Sequence, residues 1–225
     1  MDDTYILNIE TSTKACSVSL NLNGDLISCE DIVGSGFSHS EKLLPFISQT
    51  IEKSKIKMPD LSAVAISMGP GSFTGLRIGV STAKGICYAL GIPLIAVSTL
   101  QAMAFGMAKK LKSELYCPMI DARRMEVYAA FYDLENNLVR KIQADIVNES
   151  SYLNFLKNDV VFFGDGSLKI KEIIKHKKAT FVSDFHPSAK FIGDLSYEKF
   201  RNSDFVNLAY FEPYYLKDFV GGKKA

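Results

Sequence analysis

Short apolar runs separated by polar turns open the chain in the pattern of β-strands. Residues 4–10 and 15–22 form two such runs, the second with clear alternation of apolar and polar positions. Asn23-Gly24 follows them and is a strong signal for a hairpin turn into a third run at 25–31. The pattern therefore predicts three antiparallel strands at the start of the chain.

A helical period replaces this pattern after residue 38. Apolar residues recur on one helical face at Leu43, Leu44, Ile47 and Ile51. Ser38 and Glu41 have the spacing of a capping box, in which the two side chains bind backbone amides at the start of a helix. A helix of about four turns is predicted here.

Two buried strands with helices between them are predicted next. Apolar runs at 61–67 and 93–97 are typical of buried strands, and a glycine-rich turn with a helix to about Leu90 separates them. The stretch 86–108 has no charge and is long enough to suggest a membrane span. Because the proline of Gly91-Ile92-Pro93 interrupts it, we expect a helix end, a strand and a second helix instead.

The same order of elements recurs after residue 98. We expect a helix to about Leu111 and strands at 115–120, 127–132, 139–146 and 160–163. Further helices are expected near Tyr152, after Gly166 and after Ser188. The 225 residues thus divide into two α/β halves of similar plan, 1–100 and 101–225.

Composition narrows the classes of function. Lys plus Arg total 26 against 25 for Asp plus Glu, so no long-range field attracts a polyanion, although a local basic patch remains open. The four cysteines lack CxxC spacing and have the apolar context of buried structural thiols, which suits a reducing cytoplasm. The acidic start Met1-Asp2-Asp3 is unlike a secretory signal, so a cytoplasmic protein is expected.

The segment from Gly69 to Gly79 carries the most specific pattern. A glycine-rich turn between strand and helix can cradle phosphate with its amides, but the Lys-Ser/Thr pair of a P-loop is missing. Within the helix, Gly75, Gly79 and Ala83 have the spacing i, i+4 and i+8, which makes a stripe that another helix can approach closely. The stripe packs either against the chain's own sheet and helix or against another subunit.

The other polar groups are weaker signals. Glu10, Thr11 and Ser12 end the first strand with residue types that hold Mg²⁺ and phosphate in sugar-kinase and actin-like folds, but these residues also form ordinary turns. The three histidines lie too far apart for a local metal motif, and His39 is interpreted as a surface residue beside a helix start.

A cluster of charges occupies the strand-to-strand turn at 121–128. Arg123 or Arg124 could meet a phosphate or a partner's carboxylate, because a guanidinium binds both with two parallel hydrogen bonds. Alternatively, the two arginines pair with Asp121 and Glu126 in the same turn.

Several of these segments together resemble the TsaB family of tRNA threonylcarbamoyladenosine biosynthesis proteins. The similarity spans nearly the whole chain, in order, and rests on ILNIETST at 6–13, HSEKLLP at 39–45, GPGSFTGLRIG at 69–79, AKG at 83–85, IP at 92–93, DARR at 121–124 and PYYLK at 213–217. HSEKLLP and GPGSFTGLRIG are the most specific of them.

The resemblance implies an α/β protein of the actin-like ATPase (ASKHA, ribonuclease H-like) fold with two βββαβα-type subdomains. It also implies a noncatalytic subunit that supports a TsaD-type transferase, with a TsaE-type ATPase, in forming N6-threonylcarbamoyladenosine at position 37 of ANN-decoding tRNAs. No cofactor of its own is expected, and ATP or ADP with Mg²⁺ enters only in the complex. We expect a homodimer when the chain is alone, contact with tRNA only through the partners, and no membrane association.

The partner surface of the family lies on the two helices of the first half. We assign to it His39, Glu41, Leu44, Gly69, Gly71, Ser72, Phe73, Thr74, Gly75, Arg77, Gly79 and Ala83. A vestigial nucleotide site is assigned to Glu10, Thr11 and Ser12. The catalytic paralogue carries a metal-binding His-Leu-Glu-Gly-His where this chain has Thr99-Leu-Gln-Ala-Met103, so neither a metal site nor a catalytic residue is expected.

The sequence leaves two other functions open. One is an ATP-dependent or metallopeptidase-like enzyme of the same superfamily, which would use Glu10 and the glycine turns. The other is a homodimeric binding module for an unrelated ligand, because the small-residue stripe serves self-association equally well.

Overall fold

The computed structural model describes residues 3–34 and 39–217. Its first sheet has five strands, β1 (Tyr5–Glu10), β2 (Ala15–Leu22), β3 (Asp25–Val33), β4 (Leu61–Ser67) and β5 (Leu94–Val97), in the order β3-β2-β1-β4-β5. The pairs β1–β2 and β2–β3 are antiparallel, as predicted, whereas β1–β4 and β4–β5 are parallel. Asn23 and Gly24 both have positive φ, which is the backbone of a tight hairpin turn.

Three helices accompany this sheet, α1 (His39–Lys53), α2 (Phe73–Leu90) and α3 (Thr99–Ala108). Leu43, Ile47 and Ile51 of α1 pack in one core with the outer face of the sheet and the inner residues of α2, which confirms the helical period. The predicted cap at Ser38 lies outside the described residues. Gly91 ends α2 in the left-handed conformation, and its amide donates to the carbonyl of Cys87.

The second sheet repeats the strand order of the first. Its strands are β6 (Leu115–Asp121), β7 (Glu126–Tyr132), β8 (Leu138–Ile146), β9 (Val160–Phe163) and β10 (Ala179–Val182). Their order, β8-β7-β6-β9-β10, has its third, second, first, fourth and fifth strand side by side, as in the first sheet. This duplicated order of strands is that of the actin-like ATPase fold, so the predicted fold class is confirmed.

The helices of the second half differ from the prediction. The segment around Tyr152 forms turns rather than a helix, and a single 3-10 turn, Leu168–Ile170, follows Gly166. Asn148, Ser150 and Ser151 bind one another and nearby amides through their side chains, and this local bonding competes with a helix. The prediction also missed β10.

The last helix, α4 (Gly193–Arg201), comes after a 3-10 turn that begins one residue beyond Ser188. It packs against the first sheet, whereas α3 packs against β6 and β7 of the second. One apolar core therefore joins both sheets and both helices. A boundary near residue 100 separates the two sheets, but the chain after α4 returns to the first half, where the amide of Val206 donates to the carbonyl of Leu94.

None of the described helices combines the length and the apolar character that crossing a membrane requires. The uncharged stretch 86–108 contains the end of α2, all of β5 and α3, as the break at Pro93 predicted.

Candidate functional site

Two turns meet at the ends of neighbouring strands in the first sheet. One turn, 11–13, follows β1, and the other, 69–72, follows β4, which runs parallel to β1. Because parallel strands end at the same edge of a sheet, the turns lie side by side. The amide of Ser72 donates to the carbonyl of Ser12 at 2.6 Å, so the two backbones are in direct contact.

This contact fills the place where the glycine-rich turn could have cradled a phosphate. A Cβ atom added at Gly71 would overlap the carbonyl of Ser12, and one added at Gly75 would overlap the carbonyl of Thr11. The amides of Ser72 and Gly75 already have acceptors within the chain, since Ser72 donates to the carbonyl of Ser12 and Gly75 donates to the Ser72 hydroxyl at 3.2 Å. The turn is therefore built for close packing within the chain.

The small-residue stripe on α2 faces inward, and this corrects its assignment to a partner surface. Gly75, Gly79 and Ala83 are all buried. A side chain at Gly79 would overlap the Thr11 hydroxyl and press on Ile66 of β4. The stripe lets α2 approach the first sheet closely, which is one of the two packing arrangements that the sequence left open. Gly69 is buried as well, against the carbonyl of Tyr214.

His39 is also buried, which corrects its interpretation as a surface residue and removes it from the partner surface. Its Nε2 atom lies 2.8 Å from the carbonyl oxygen of Thr13 and donates to it, because a carbonyl can only accept. Burial lowers the pKa of His39, and the bond to Thr13 only partly offsets this effect. The neutral ring joins the start of α1 to the turn after β1.

Glu10 lies at the centre of a buried polar cluster. It is 1% exposed, and the amide of Ser12 donates to its Oε1 atom at 2.5 Å. Burial raises the pKa of Glu10, because a carboxylate in an apolar environment loses its hydration. The hydroxyls of Ser12 and Ser67 lie beside the carboxylate and partly offset this rise in pKa, whereas the Thr11 hydroxyl is buried without a hydrogen-bond partner among the described residues.

These carboxylate and hydroxyl groups are of the type that binds Mg²⁺ and phosphate, but the space around them is too small for such ligands. The contacts of Gly71 and Gly75 with the turn after β1 enclose Thr11 and Ser12, which are 0% exposed. A magnesium nucleotide therefore does not fit between the two turns in this arrangement. The vestigial site predicted at Glu10, Thr11 and Ser12 is brought together by the fold, but as a closed polar core.

The exposed part of the predicted partner surface lies on the outer sides of α1 and α2. Glu41 and Leu44 on α1 are exposed, and 61% of Leu44 is open to solvent. Thr74 and Arg77 on α2 are exposed too, whereas Gly71, Ser72 and Phe73 are partly buried. These residues remain available for contact with another molecule.

Two further residues of this face were not predicted, Gly85 and Tyr88. Both are exposed, and 84% of Tyr88 is open to solvent. Apart from the backbone of α2 itself, no atom of the described residues lies within 4 Å of a Cβ added at Gly85, so none of these residues requires a glycine there. Helical spacing places both residues on the same outer side of α2 as Thr74 and Ser81. Gly85 belongs to the AKG segment at 83–85, which carries part of the family resemblance, but the sequence does not show that this glycine faces outward.

One flank of α2 is covered by the segment 206–217. Lys84 donates to the carbonyls of Ala209 and Phe211, each at 3.2 Å. Arg77 donates to the Tyr215 hydroxyl and lies 4.1 Å above the ring of Phe73. The segment holds this flank of the helix and leaves Gly85 and Tyr88 open on the outer side.

Thr99 and Met103, where the resemblance predicts that metal-binding histidines are missing, are parts of the core. Thr99 is fully buried, and its hydroxyl accepts a hydrogen bond from the amide of Gly69 at 3.2 Å. Met103 is 1% exposed and belongs to the core between the two sheets. Both side chains thus serve packing in this chain.

Comparison with known proteins first identifies the class of protein to which the chain belongs. A family model described as "TsaD: tRNA N6-adenosine threonylcarbamoyltransferase" matches residues 36–211. The solved structure of YeaZ from Pseudomonas aeruginosa superposes with a TM-score of 0.81 and 25% sequence identity, and it covers 95% of this chain and 100% of that one. The chain is thus an actin-like protein of the TsaD-related class.

Two relatives then give the particular family. The tRNA threonylcarbamoyladenosine biosynthesis protein TsaB of Escherichia coli is 30% identical, over 97% of this chain and 97% of its own length. The TsaB protein of Haemophilus influenzae is 28% identical, over 100% of this chain and 98% of its own. The chain therefore belongs to the TsaB (YeaZ) family and takes part in tRNA threonylcarbamoyladenosine biosynthesis.

Proposed function

We propose that this chain is a noncatalytic subunit that docks a TsaD-type transferase through the outer sides of α1 and α2. In this role it supports the transferase, together with a TsaE-type ATPase, in forming N6-threonylcarbamoyladenosine at position 37 of ANN-decoding tRNAs. The residues of the docking face are Glu41, Leu44, Thr74, Arg77, Ser81, Gly85 and Tyr88.

Gly85 is the observation that carries this proposal. A glycine inside a helix costs about 1 kcal/mol relative to alanine, so its presence needs a reason. Gly75 and Gly79 have one within the chain, because side chains there would overlap the turn after β1. Gly85 has none among residues 3–34 and 39–217, which leave the space beside it open. Close approach of another molecule supplies the reason.

The side chains around Gly85 suit a protein partner. Leu44 and Tyr88 are large apolar or aromatic residues with most of their surface exposed, and Arg77 adds a charge at the flank. Tyrosine and arginine are the residue types that contribute most often to the energetic centre of protein interfaces. A glycine between them lets a partner helix come close to the backbone of α2.

Two observations support a noncatalytic role. Thr99 and Met103, which the resemblance aligns with the paralogue's histidines, are buried, and neither residue type suits the borderline metals that such chemistry uses. Glu10 is enclosed by the two turns, so it cannot reach a substrate in this arrangement. The docking proposal therefore assigns the chemistry to the partner.

Calorimetric titration of the transferase with variants at Gly85 tests the proposal. Gly85→Trp should weaken binding by about 30-fold or more, because loss of an interface centre costs roughly 2 kcal/mol. Gly85→Ala adds a single methyl group at the point of close approach and should weaken binding measurably, but by less than Gly85→Trp. Lys141→Trp places the same bulk on an exposed residue of β8 and should leave binding unchanged. Unchanged affinity of Gly85→Trp would rule out this face.

A further inference from the structure

The turn between β6 and β7 presents two adjacent arginines with no partner of their own. Arg123 and Arg124 are exposed at its tip. Within residues 3–34 and 39–217, neither guanidinium makes a hydrogen bond or an ion pair, although both acids of the turn lie close by. The pairing of these four charges, which the sequence left open, is therefore not what the described residues form.

Two lysines from outside the turn already form ion pairs with its two acids. Lys169 lies 2.5 Å from Asp121, and Lys217 pairs with Glu126. Lys169 also donates to the carbonyls of Arg124 and Glu126. Lysines thus neutralise the two acids of the turn, and Asp165, which accepts from the amide of Asp121, leaves one further carboxylate at its base against the two arginines.

The backbone of the turn is both strained and firmly held. Arg123 and Arg124 have φ of 68° and 51°, a left-handed conformation that favours Gly or Asn and disfavours a long side chain. The amide of Arg123 donates to Asp121 at 2.8 Å, and the amides of Ala122 and Glu126 bond across the turn. Two arginines kept where Gly or Asn would relieve strain suggest that their side chains are needed.

We propose that this arginine hairpin binds phosphate groups of an RNA backbone. Each guanidinium can bind a phosphate with two parallel hydrogen bonds. The chain takes part in tRNA modification, so the RNA backbone is the polyanion that its pathway brings to it. With a net charge of +1, the attraction is local and limited to a few contacts.

The proposed site is separate from the proposed docking face. The hairpin joins two strands of the second sheet, whereas α1 and α2 cover the first. The two proposed sites share no residue, and the segment that ends at Lys217 touches both, because Tyr215 binds Arg77 of α2 and Lys217 pairs with Glu126 of the hairpin. This proposal departs from the expectation that tRNA is reached only through partners.

Binding of the full chain to an unmodified ANN-decoding tRNA transcript, measured by fluorescence anisotropy across 50–200 mM salt, tests the proposal. Arg123→Gln/Arg124→Gln should weaken binding at low salt by about tenfold. It should also reduce the slope of log affinity against log salt by roughly 1.4–1.8, from about 0.7–0.9 for each phosphate contact. Arg123→Asn/Arg124→Gly, which suits the left-handed turn, should show the same loss and keeps the fold intact.

The control Lys112→Gln/Lys141→Gln removes two exposed charges elsewhere and should change neither affinity nor slope. Absence of salt-dependent tRNA binding by the unmodified chain would overturn the proposal, as would an equal loss in this control. Competition by millimolar ATP would assign the pair to a nucleotide instead. If Arg123→Gln/Arg124→Gln binds tRNA as the unmodified chain does but binds the transferase more weakly, the arginine pair contacts a protein carboxylate instead. Because the assay uses the chain alone, it stands independently of the docking face.

Discussion

Glu10 shows how the environment of one residue reaches the stability of the whole chain. Its folded-state pKa lies above the ordinary value of 4.5, because burial outweighs the hydrogen bond from Ser12. Its stabilising contribution is therefore complete below pH 4.5 and is lost as the pH rises through the folded pKa. At neutral pH the native state must hold either an ionised buried carboxylate or a bound proton.

Glu10→Gln should for this reason gain stability relative to the unmodified chain as the pH rises from 4.5 to 7. Gln keeps the oxygen that accepts from the Ser12 amide but has no charge to bury. Urea unfolding at both pH values measures the effect, with Glu52→Gln as the matched control on the exposed side of α1. A constant difference between Glu10→Gln and the unmodified chain at the two pH values contradicts this account.

Two glycines of the same helix should respond to alanine in opposite ways. Gly85→Ala should raise the free energy of unfolding by about 1 kcal/mol, because the position is open and alanine favours the helix. Gly75→Ala should lower it by about 1–3 kcal/mol, because the new Cβ would push α2 away from Thr11. Thermal or urea unfolding of the pair gives both values. Equal effects would show that α2 does not pack against the turn after β1.

At the scale of elements, the segment after β8 owes its shape to side chains rather than to helix propensity. Arg140 forms two hydrogen bonds with Asp145, at 2.5 and 2.8 Å, and the Tyr152 hydroxyl donates to the same carboxylate at 2.7 Å. Tyr152 itself has a φ of 66°, which no helix tolerates. This network fixes the turns around Tyr152 against β8.

Tyr152→Phe should therefore cost about 1–3 kcal/mol of stability, since it leaves part of a half-buried carboxylate without its donor. Tyr210→Phe removes a hydroxyl from a side chain that is 84% exposed and serves as the control. Chemical denaturation of both variants measures the difference. No loss in Tyr152→Phe would mean that Arg140 alone holds the segment.

The elements of the first half could be predicted because apolar periodicity and turn residues agree there. In the second half, bonds from Asn148 and Ser151 outweigh local propensity, and such bonds leave no periodic signal. The side of α2 that faces the core could not be predicted from its small residues. Gly75 and Gly85 are the same residue type in one helix, and only the position of the turn after β1 shows which of them is buried.

The burial of His39 was also beyond the sequence. A histidine at a helix start commonly lies at the surface, and its partner, the carbonyl of Thr13, comes from a turn that lies 26 residues earlier in the chain. Glu10, Thr11 and Ser12 follow one another at the end of β1, so the sequence alone places them side by side. That the glycine turn after β4 closes over them depends on the packing of two separate loops.

For the whole molecule, we propose that the outer sides of α1 and α2, which dock the transferase, also hold two copies of the chain together when the transferase is absent. Light scattering of the chain alone and mixed with the TsaD-type transferase tests this most directly. We expect the chain alone to form a dimer of twice its 24.9 kDa mass, and the transferase to replace one copy in a one-to-one complex. Gly85→Trp should remain a monomer in both samples. A transferase that adds to an intact dimer, or that binds Gly85→Trp equally well, would contradict the shared docking face.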